Sequence, residues 1–444
     1  MKNHLKRYVM CILAAGLFCQ FSFAQQVQTN KLDSLFQILE ENNKFMGSVS
    51  VFIDGQERYA KTVGYVDIET KKKADKNSKY DMGSISKTLT AVMIFRAIED
   101  GRLTLEQTLD KFFTTIPNAD KITIAHLLQH YSGIHNFTQD LNFLNWRTEP
   151  KSRDELLSII EKGGSDFEPG TQFAYSNSNY VILSYILEDI YKQNFATILE
   201  KEIIQPLGLQ HTGFGNKIDV DKNYCYSYVY LDKWRVESQT HPLNLQGAGG
   251  ITSNPYDLNL FTEALFNGKL IKESNLKQMM DVKNDIIGMG LFRFPFYDIS
   301  GYGHTGGIDG FHSTFIYFPK KKTSFTIVAN GLNYVENDIS IAVLSGVSDM
   351  SFDLPDFTTI NLTSADLDKY LGVYSTSQLP IKITITKNED TLVAQGTGQP
   401  SFNLEATAKD KFKFELGGIV IEFKPEENSM ILKQGGAVFV MKKE

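Results

Sequence analysis

Apolar positions change their period several times along the chain, and each change marks an element. Residues Leu32 to Leu39 follow helical spacing and predict an amphipathic helix. The run Ser48-Val49-Ser50-Val51-Phe52-Ile53, then Asp54-Gly55, then Tyr59 to Val66 predicts a hairpin, because an Asp-Gly pair suits a tight two-strand turn. From Ser84 to about Asp100 the residues Leu89, Val92, Met93, Phe95 and Ile98 recur at helical spacing. Gly101 ends this run as a C-terminal glycine does, and it is the strongest helical pattern in the sequence. Segments 105–113, 123–130, 153–162, 177–191 and 195–203 also read as helices, whereas 313–318 and 323–329 read as strands. Strands near both ends with helices between them predict an α+β unit: one antiparallel sheet flanked by helices, with a helical lobe inserted in the middle.

Near residues 350–365 the texture changes. Pro355 and a Thr-rich stretch lead into Tyr370-Leu371-Gly372-Val373-Tyr374 and then into alternating runs at 381–386, 391–395, 402–406, 411–415, 418–423, 429–433 and 437–442. Turn residues separate them, including Asn388-Glu389-Asp390 and Gly417-Gly418. Residues 365–444 are therefore expected to form a small antiparallel β-domain, a barrel or a curved sheet, following a first domain over 25–350.

The first two dozen residues belong to neither pattern. Lys2, Lys6 and Arg7 precede an uncharged apolar run from Tyr8 to about Phe23, and Ser22-Phe23-Ala24 places small residues at the positions a signal peptidase reads. A secretory signal over 1–24, cleaved after Ala24, is expected, and with it a periplasmic or secreted protein that does not stay inserted in the membrane. The run is short for a bilayer span, and the bulky Phe18 before Cys19 does not fit lipidation. Cys11 and Cys19 leave with the signal, so Cys225 has no partner for an intramolecular disulfide and the fold must rest on its core. Loss of Lys2, Lys6 and Arg7 moves the formal charge from −7 to about −10, which disfavours nucleic acid and anionic lipid as partners.

Three short stretches carry chemistry. Ser84-Ile85-Ser86-Lys87 opens the strongest helix, and a spacing of three puts the hydroxyl and the amine within reach of each other. A serine hydroxyl is a poor nucleophile until a neighbouring base takes its proton, and a helix N-terminus supplies backbone N–H groups for an oxyanion. The second stretch, Glu168-Pro169-Gly170 through Tyr175-Ser176-Asn177, delivers Tyr-x-Asn to a loop just before a helix. The third, Gly303-His304-Thr305-Gly306-Gly307, is a strand of small residues beside which a substrate backbone can lie. Each has a bland reading: a helix cap with a surface lysine, a buried aromatic, a tight turn. Order and separation, with the later two about 90 and about 220 residues beyond Ser84, set them apart.

In these residues the chain resembles the serine β-lactamase and penicillin-binding-protein superfamily, specifically its class C β-lactamase, D-peptidase and esterase branch. The likeness spans roughly residues 30–345. It is carried by Ser84-x-x-Lys87, Tyr175-x-Asn177 and His304-Thr305-Gly306, with support from Leu127 to Ile134 and from Gly247-Ala248-Gly249-Gly250-Ile251. The tail, especially near Gly398-Gln399-Pro400, resembles the lipocalin-like β-domain that many such hydrolases carry. The resemblance implies that Ser84 attacks a carbonyl, that Lys87 and Tyr175 share its proton and pass it to the leaving group, and that Asn177 orients the substrate or Lys87. It also implies an oxyanion hole from the N–H groups of Ser84 and Gly307, beside His304, Thr305 and Gly306. No cofactor is required. Which of Lys87 and Tyr175 is the base, and the oligomeric state, are left open by the sequence.

One departure bears on the substrate. His304 stands where the β-lactamases and many D,D-peptidases of the superfamily have lysine, and a histidine near neutral pH offers a substrate carboxylate little positive charge. An ester or a small amide or peptide, including one containing a D-amino acid, becomes the expected substrate; a β-lactamase, a penicillin-binding D,D-carboxypeptidase and a non-catalytic β-lactam or peptide sensor are the alternatives. His126 and His130 share a helix face but lack a convincing third ligand, so no metal site is expected. Glu168 reads as a turn residue, and Tyr131, Phe143 and Trp146 read as core of the helical lobe in preference to cleft lining.

Overall fold

The computed structural model describes residues 27–444 apart from 216, 284–285 and 435–436. The apolar leader and its expected cut after Ala24 lie outside the described residues. The first domain is built on helix α1 (Thr29–Glu41), strands β1 (Phe45–Ile53) and β2 (Gln56–Val63), helices α2 (Ser86–Glu99), α3 (Asn177–Tyr191) and α4 (Pro255–Phe266), strands β3 (Phe292–Phe296), β4 (Ile299–Ile308), β5 (Phe311–Phe318) and β6 (Thr323–Leu332), and helix α5 (Glu336–Val347). The strands pair antiparallel in the order β3-β4-β5-β6-β1-β2, so the first and last parts of the domain close one sheet between them.

Each face of this sheet is covered. On one, α1 lays Leu32, Leu35, Phe36 and Leu39 into a cluster with Val49, Val51, Phe325, Ile327 and Val343. On the other, α4 is tied down by Asn259, whose side-chain amide donates to the Ser50 carbonyl at 2.9 Å while its oxygen accepts from Thr326 at 2.8 Å. Covering on both faces explains why β1 is buried almost throughout, with no exposed alternate positions.

Helix α2 lies at the centre of the other large core, which joins the sheet to the helical lobe. Its apolar periodicity suggests one polar face in water, yet Ser86, Lys87, Thr88 and Thr90 are all fully buried. They face loops: Thr88 donates to the Gly290 carbonyl at 2.7 Å, Thr90 to the Gly247 carbonyl at 2.8 Å, and Ser86 accepts from Ile251 N–H at 3.1 Å. Each buried hydroxyl therefore has a partner, as burial demands.

Several expected helices are shorter than their sequence pattern. Segment 105–113 is a single tight turn at Leu109–Lys111, because Leu109 and Asp110 donate to the carbonyls of Ile122 and Ala119 instead of to their own chain one turn back. Segment 123–130 yields a helix only over Ile124–Leu128. In 195–203 a helix at Phe195–Leu199 widens into a π-turn at Glu200–Ile204.

The C-terminal region is a closed antiparallel barrel of β7 (Gly372–Ser375), β8 (Ile383–Asn388), β9 (Thr391–Gly396), β10 (Ser401–Ala408), β11 (Lys411–Phe414), β12 (Ile419–Lys424), β13 (Ser429–Gln434) and β14 (Ala437–Lys443). Closure comes from Tyr374 and Ser375 of β7 pairing with Lys443 and Lys442 of β14. Tyr370, Phe412 and Phe423 pack together inside it, with ring centroids 4.6–5.5 Å apart. Because Phe95 is fully buried at the heart of α2, Phe95→Ala is expected to destabilise the first domain by about 3–5 kcal/mol. Urea denaturation followed by circular dichroism checks this; a loss below about 1 kcal/mol would place Phe95 outside the core.

Candidate active site

The chain reaches Ser84 through a left-handed glycine. Gly83 has φ of 51°, a left-handed conformation that glycine adopts without cost, and the tight turn Gly83–Ile85 precedes α2 proper. Ser84 thus sits one turn before the helix, half-buried, while Lys87 in the first turn is completely enclosed. The lysine amine lies 3.0 Å from Ser84 Oγ, 2.7 Å from Asn177 Oδ1 and 2.6 Å from the Ala248 carbonyl oxygen.

These three partners differ in kind. The Asn177 and Ala248 oxygens can only accept, whereas the serine hydroxyl can accept or donate. An ammonium at Lys87 satisfies all three by donating. A neutral amine donates to Asn177 and Ala248 and turns its lone pair toward the Ser84 hydroxyl, so a proton can move between Ser84 and Lys87 without any heavy atom shifting. The orientation of Asn177 is itself fixed. Thr138 donates to Asn136 Oδ1 at 3.0 Å and so must accept from Asn177 Nδ2 at 2.8 Å, which leaves Asn177 Oδ1 for Lys87; Asn136 also accepts from the Asn177 N–H at 3.0 Å.

Burial decides the charge states. It drives Lys87 well below its usual 10.5, since a desolvated ammonium lacks any facing carboxylate among its described partners. Burial also raises Tyr175, and a hydrogen bond with Ser84 only partly offsets this. Burial therefore favours amine over ammonium at Lys87 and phenol over phenolate at Tyr175. The Lys87 amine lies 4.9 Å from the centre of the Tyr175 ring, which stacks on His130 at 4.4 Å.

The third stretch runs along β4 against the nucleophile. A Cβ added at Gly306 would lie 2.1 Å from the Met82 carbonyl oxygen and 3.1 Å from Ser84 N, and one at Gly83 would lie 3.0 Å from Gly307 N. Only backbone fits between these strands, so the N–H-bearing backbones of Ser84 and Gly307 lie side by side. Ser313 secures the approach by donating to the Met82 carbonyl at 2.9 Å. Thr305 and Gly307 are exposed along the same strand. His304 points inward, 2% exposed, stacked on Phe292 at 4.5 Å. Burial, with Lys87 nearby, lowers it to about 3, so it stands here as a neutral ring.

All eight expected site residues thus gather around one point: Ser84, Lys87, Tyr175 and Asn177 in direct contact, Gly306 and Gly307 against the nucleophile, Thr305 at the rim and His304 behind. The two histidines weighed for zinc part company. His126 closes a capping box with Thr123, whereas His130, at φ of 60°, accepts from Ser176 N–H at 3.1 Å beneath Tyr175. Glu168 is at a surface turn in contact with Lys121. Phe143 and Trp146 pack against Phe137 in the lobe, and Phe143 also reaches the wall of the cleft beside Asn177 and Gly307. Three supports were not read as such by sequence reasoning: the Ala248 carbonyl, the Asn136–Thr138 pair and His130, which was weighed only as a zinc ligand. Two of these lie in stretches, Gly247 to Ile251 and Leu127 to Ile134, that the sequence does mark.

The Beta-lactamase family model matches residues 33–344. The chain belongs to this family. Along 93% of its length it is 25% identical to penicillin-binding protein 4* of Bacillus subtilis (strain 168), covering 98% of that protein. It is 26% identical over 251 residues to the teichoic acid D-alanine hydrolase of Staphylococcus aureus (strain MRSA252), covering 54% of this chain and 62% of that one. Among solved structures, the octameric penicillin-binding protein homologue from Pyrococcus abyssi superposes with a TM-score of 0.68 at 23% identity, over 93% of this chain and 99% of that one. The D-amino acid amidase from Ochrobactrum anthropi SV3 gives 0.64 at 20% identity, over 72% and 99%. With this membership the fold is that of the β-lactamase-like hydrolases, and the protein is a serine hydrolase of that family.

The neutral His304 carries a stability signature. Its folded pKa of about 3 lies below the ordinary 6.5, so as pH falls from 6.5 toward 3 the unfolded chain takes up a proton that the folded chain refuses. Stability is lost on that descent and regained as pH rises to 6.5. His304→Gln is expected to show a shallower fall of the urea midpoint between pH 6.5 and 4 than the wild type; parallel curves would mean that His304 is not buried neutral.

Proposed function

We propose that the protein is an exported serine hydrolase that works through an acyl-enzyme on Ser84 and cleaves an ester or a small amide or peptide bond, including one containing a D-amino acid. The observation that carries this reading is the enclosure of Lys87 between Ser84, Asn177 and Ala248, which favours an unprotonated amine beside a hydroxyl. Lys87 is the base: burial favours its neutral form, which accepts a proton, and favours the phenol of Tyr175, which does not.

In acylation the Ser84 proton passes to Lys87 as Oγ bonds to the substrate carbonyl carbon. The carbonyl oxygen takes the negative charge between the N–H groups of Ser84 and Gly307, each such donor contributing ~3–4 kcal/mol in comparable sites. The tetrahedral centre collapses, the bond to the leaving oxygen or nitrogen breaks, and Tyr175 hands that atom a proton and is reprotonated from Lys87. Water, deprotonated at the same place, then attacks the acyl carbon and releases Ser84. Asn177 holds Lys87 in line throughout. A neutral His304 favours substrates without a carboxylate at its position. The D-alanine hydrolase and D-amino acid amidase likenesses support a small D-amino-acid group on the substrate.

A penicillin-binding D,D-carboxypeptidase is the second reading, supported by the likeness to penicillin-binding protein 4* along nearly the whole chain. Activity of wild type and Ser84→Ala on a p-nitrophenyl ester, D-amino-acid peptides and a chromogenic cephalosporin separates the two. The expected result is ester or D-peptide turnover that falls ~10³-fold or more in Ser84→Ala and equally in Lys87→Met, as for residues that act as a unit. Full ester activity in Ser84→Ala would sink the acyl-enzyme. A stable penicillin adduct on Ser84 by intact mass, without ester turnover, would favour the second reading.

A further inference from the structure

A cavity of ≈ 390 Å³ adjoins the site and shares Asn177 and Gly307 with it. Its wall includes the apolar side chains of Leu144, 68% exposed, and Ile308. Its remaining lining includes Arg147, Glu237 and Asp309. A guanidinium beside a hydrolase cleft would ordinarily attract a substrate carboxylate. Here it is already taken. Arg147 Nη1 donates to Asp309 Oδ1 at 2.5 Å, to Thr240 Oγ1 at 3.0 Å and to the Ser238 carbonyl at 2.6 Å, while Nη2 donates to Glu237 Oε1 at 2.6 Å.

Two carboxylates on one guanidinium leave an excess of negative charge. Asp309 is enclosed, and both its oxygens are bound, by Arg147 and by the hydroxyl and N–H of Thr240. Glu237 is different: it meets Arg147 through Oε1 and keeps 31% of its side chain exposed in the lining of the cavity. The accessible charge of the cluster is thus a carboxylate, and the cation that could have drawn an anion is spent inside.

We propose that this cavity is a substrate subsite selecting by charge, with Glu237 as the specificity-determining residue: it takes a group bearing a protonated amine on a short apolar stem and turns away carboxylates. The assignment rests on the acyl-enzyme reading and refines it, by giving the chemical class of the substrate portion that lies beyond Asn177 and Gly307. The apolar wall accepts the stem, and Glu237 accepts the ammonium hydrogen bonds.

Two matched ester series test it, one with a terminal ammonium, methyl or carboxylate on the acyl chain, the other with the same three groups on the leaving alcohol. In at least one series kcat/KM is expected to rank ammonium above methyl above carboxylate, with roughly tenfold or more between the extremes, as a charge-assisted hydrogen bond allows. Glu237→Gln is expected to shrink the ammonium-to-carboxylate ratio toward one, and Glu237→Lys to invert it. Ser84-dependent turnover with no charge ranking in either series, or a ranking that both Glu237 variants leave unchanged, would overturn the subsite alone. Absence of Ser84-dependent turnover of every ester would overturn the hydrolase reading and the subsite with it.

Discussion

An amine enclosed among three oxygens, with no carboxylate among its described partners, is the constraint on which the site depends. Lys87 has no exposed surface, and among the described residues its close polar partners are the oxygens of Ser84, Asn177 and Ala248. In water such an amine would be charged, and in this enclosure the charge is costly, so the neutral form is favoured. The same burial keeps Tyr175 a phenol and His304 and His130 uncharged. In a centre with four titratable side chains, burial thus favours the neutral form of each.

Everything around the amine serves that enclosure. Helix α2 places Lys87 by burying its polar face as well as its apolar one, with Thr88 and Thr90 bonded to loop carbonyls. The segment that supplies the Ala248 carbonyl is the one Thr90 pins through Gly247. The far strand β4 approaches so closely that Gly83 and Gly306 have no room for a side chain. Sheet, central helix and lobe thus meet at one point, and no local segment could assemble that point by itself.

Much of this was legible in the sequence because it lies in short motifs whose chemistry is local. Ser84 and Lys87 are three residues apart, Tyr175 and Asn177 two, and the glycines after His304 announce a strand that something must approach. The antiparallel sheet, the inserted lobe and the C-terminal barrel were likewise readable from alternation and turns. What was not legible depends on contacts between distant segments. The Ala248 carbonyl is a backbone atom and leaves no mark in residue identity. The clamp of Arg147 on Glu237 and Asp309 joins residues from three parts of the chain. The overestimated helix at 105–113 failed for the same reason: its backbone bonds go to 119–122, so helical spacing of its apolar residues does not decide its conformation. Burial, which shifts Lys87 and Tyr175 in opposite directions and so bears on which of them is the base, also needed three dimensions, since it cannot be read from their spacing.

The protonation of Lys87 is open to direct measurement. In protein carrying ¹³C-labelled lysine, the Lys87 side-chain resonance is identified by its absence from Lys87→Met and followed as pH is raised. A midpoint well below the ordinary 10.5 is the expected result. A midpoint at or above 10.5 would mean that the amine stays charged in its enclosure, and the proposal that it takes the Ser84 proton would be contradicted.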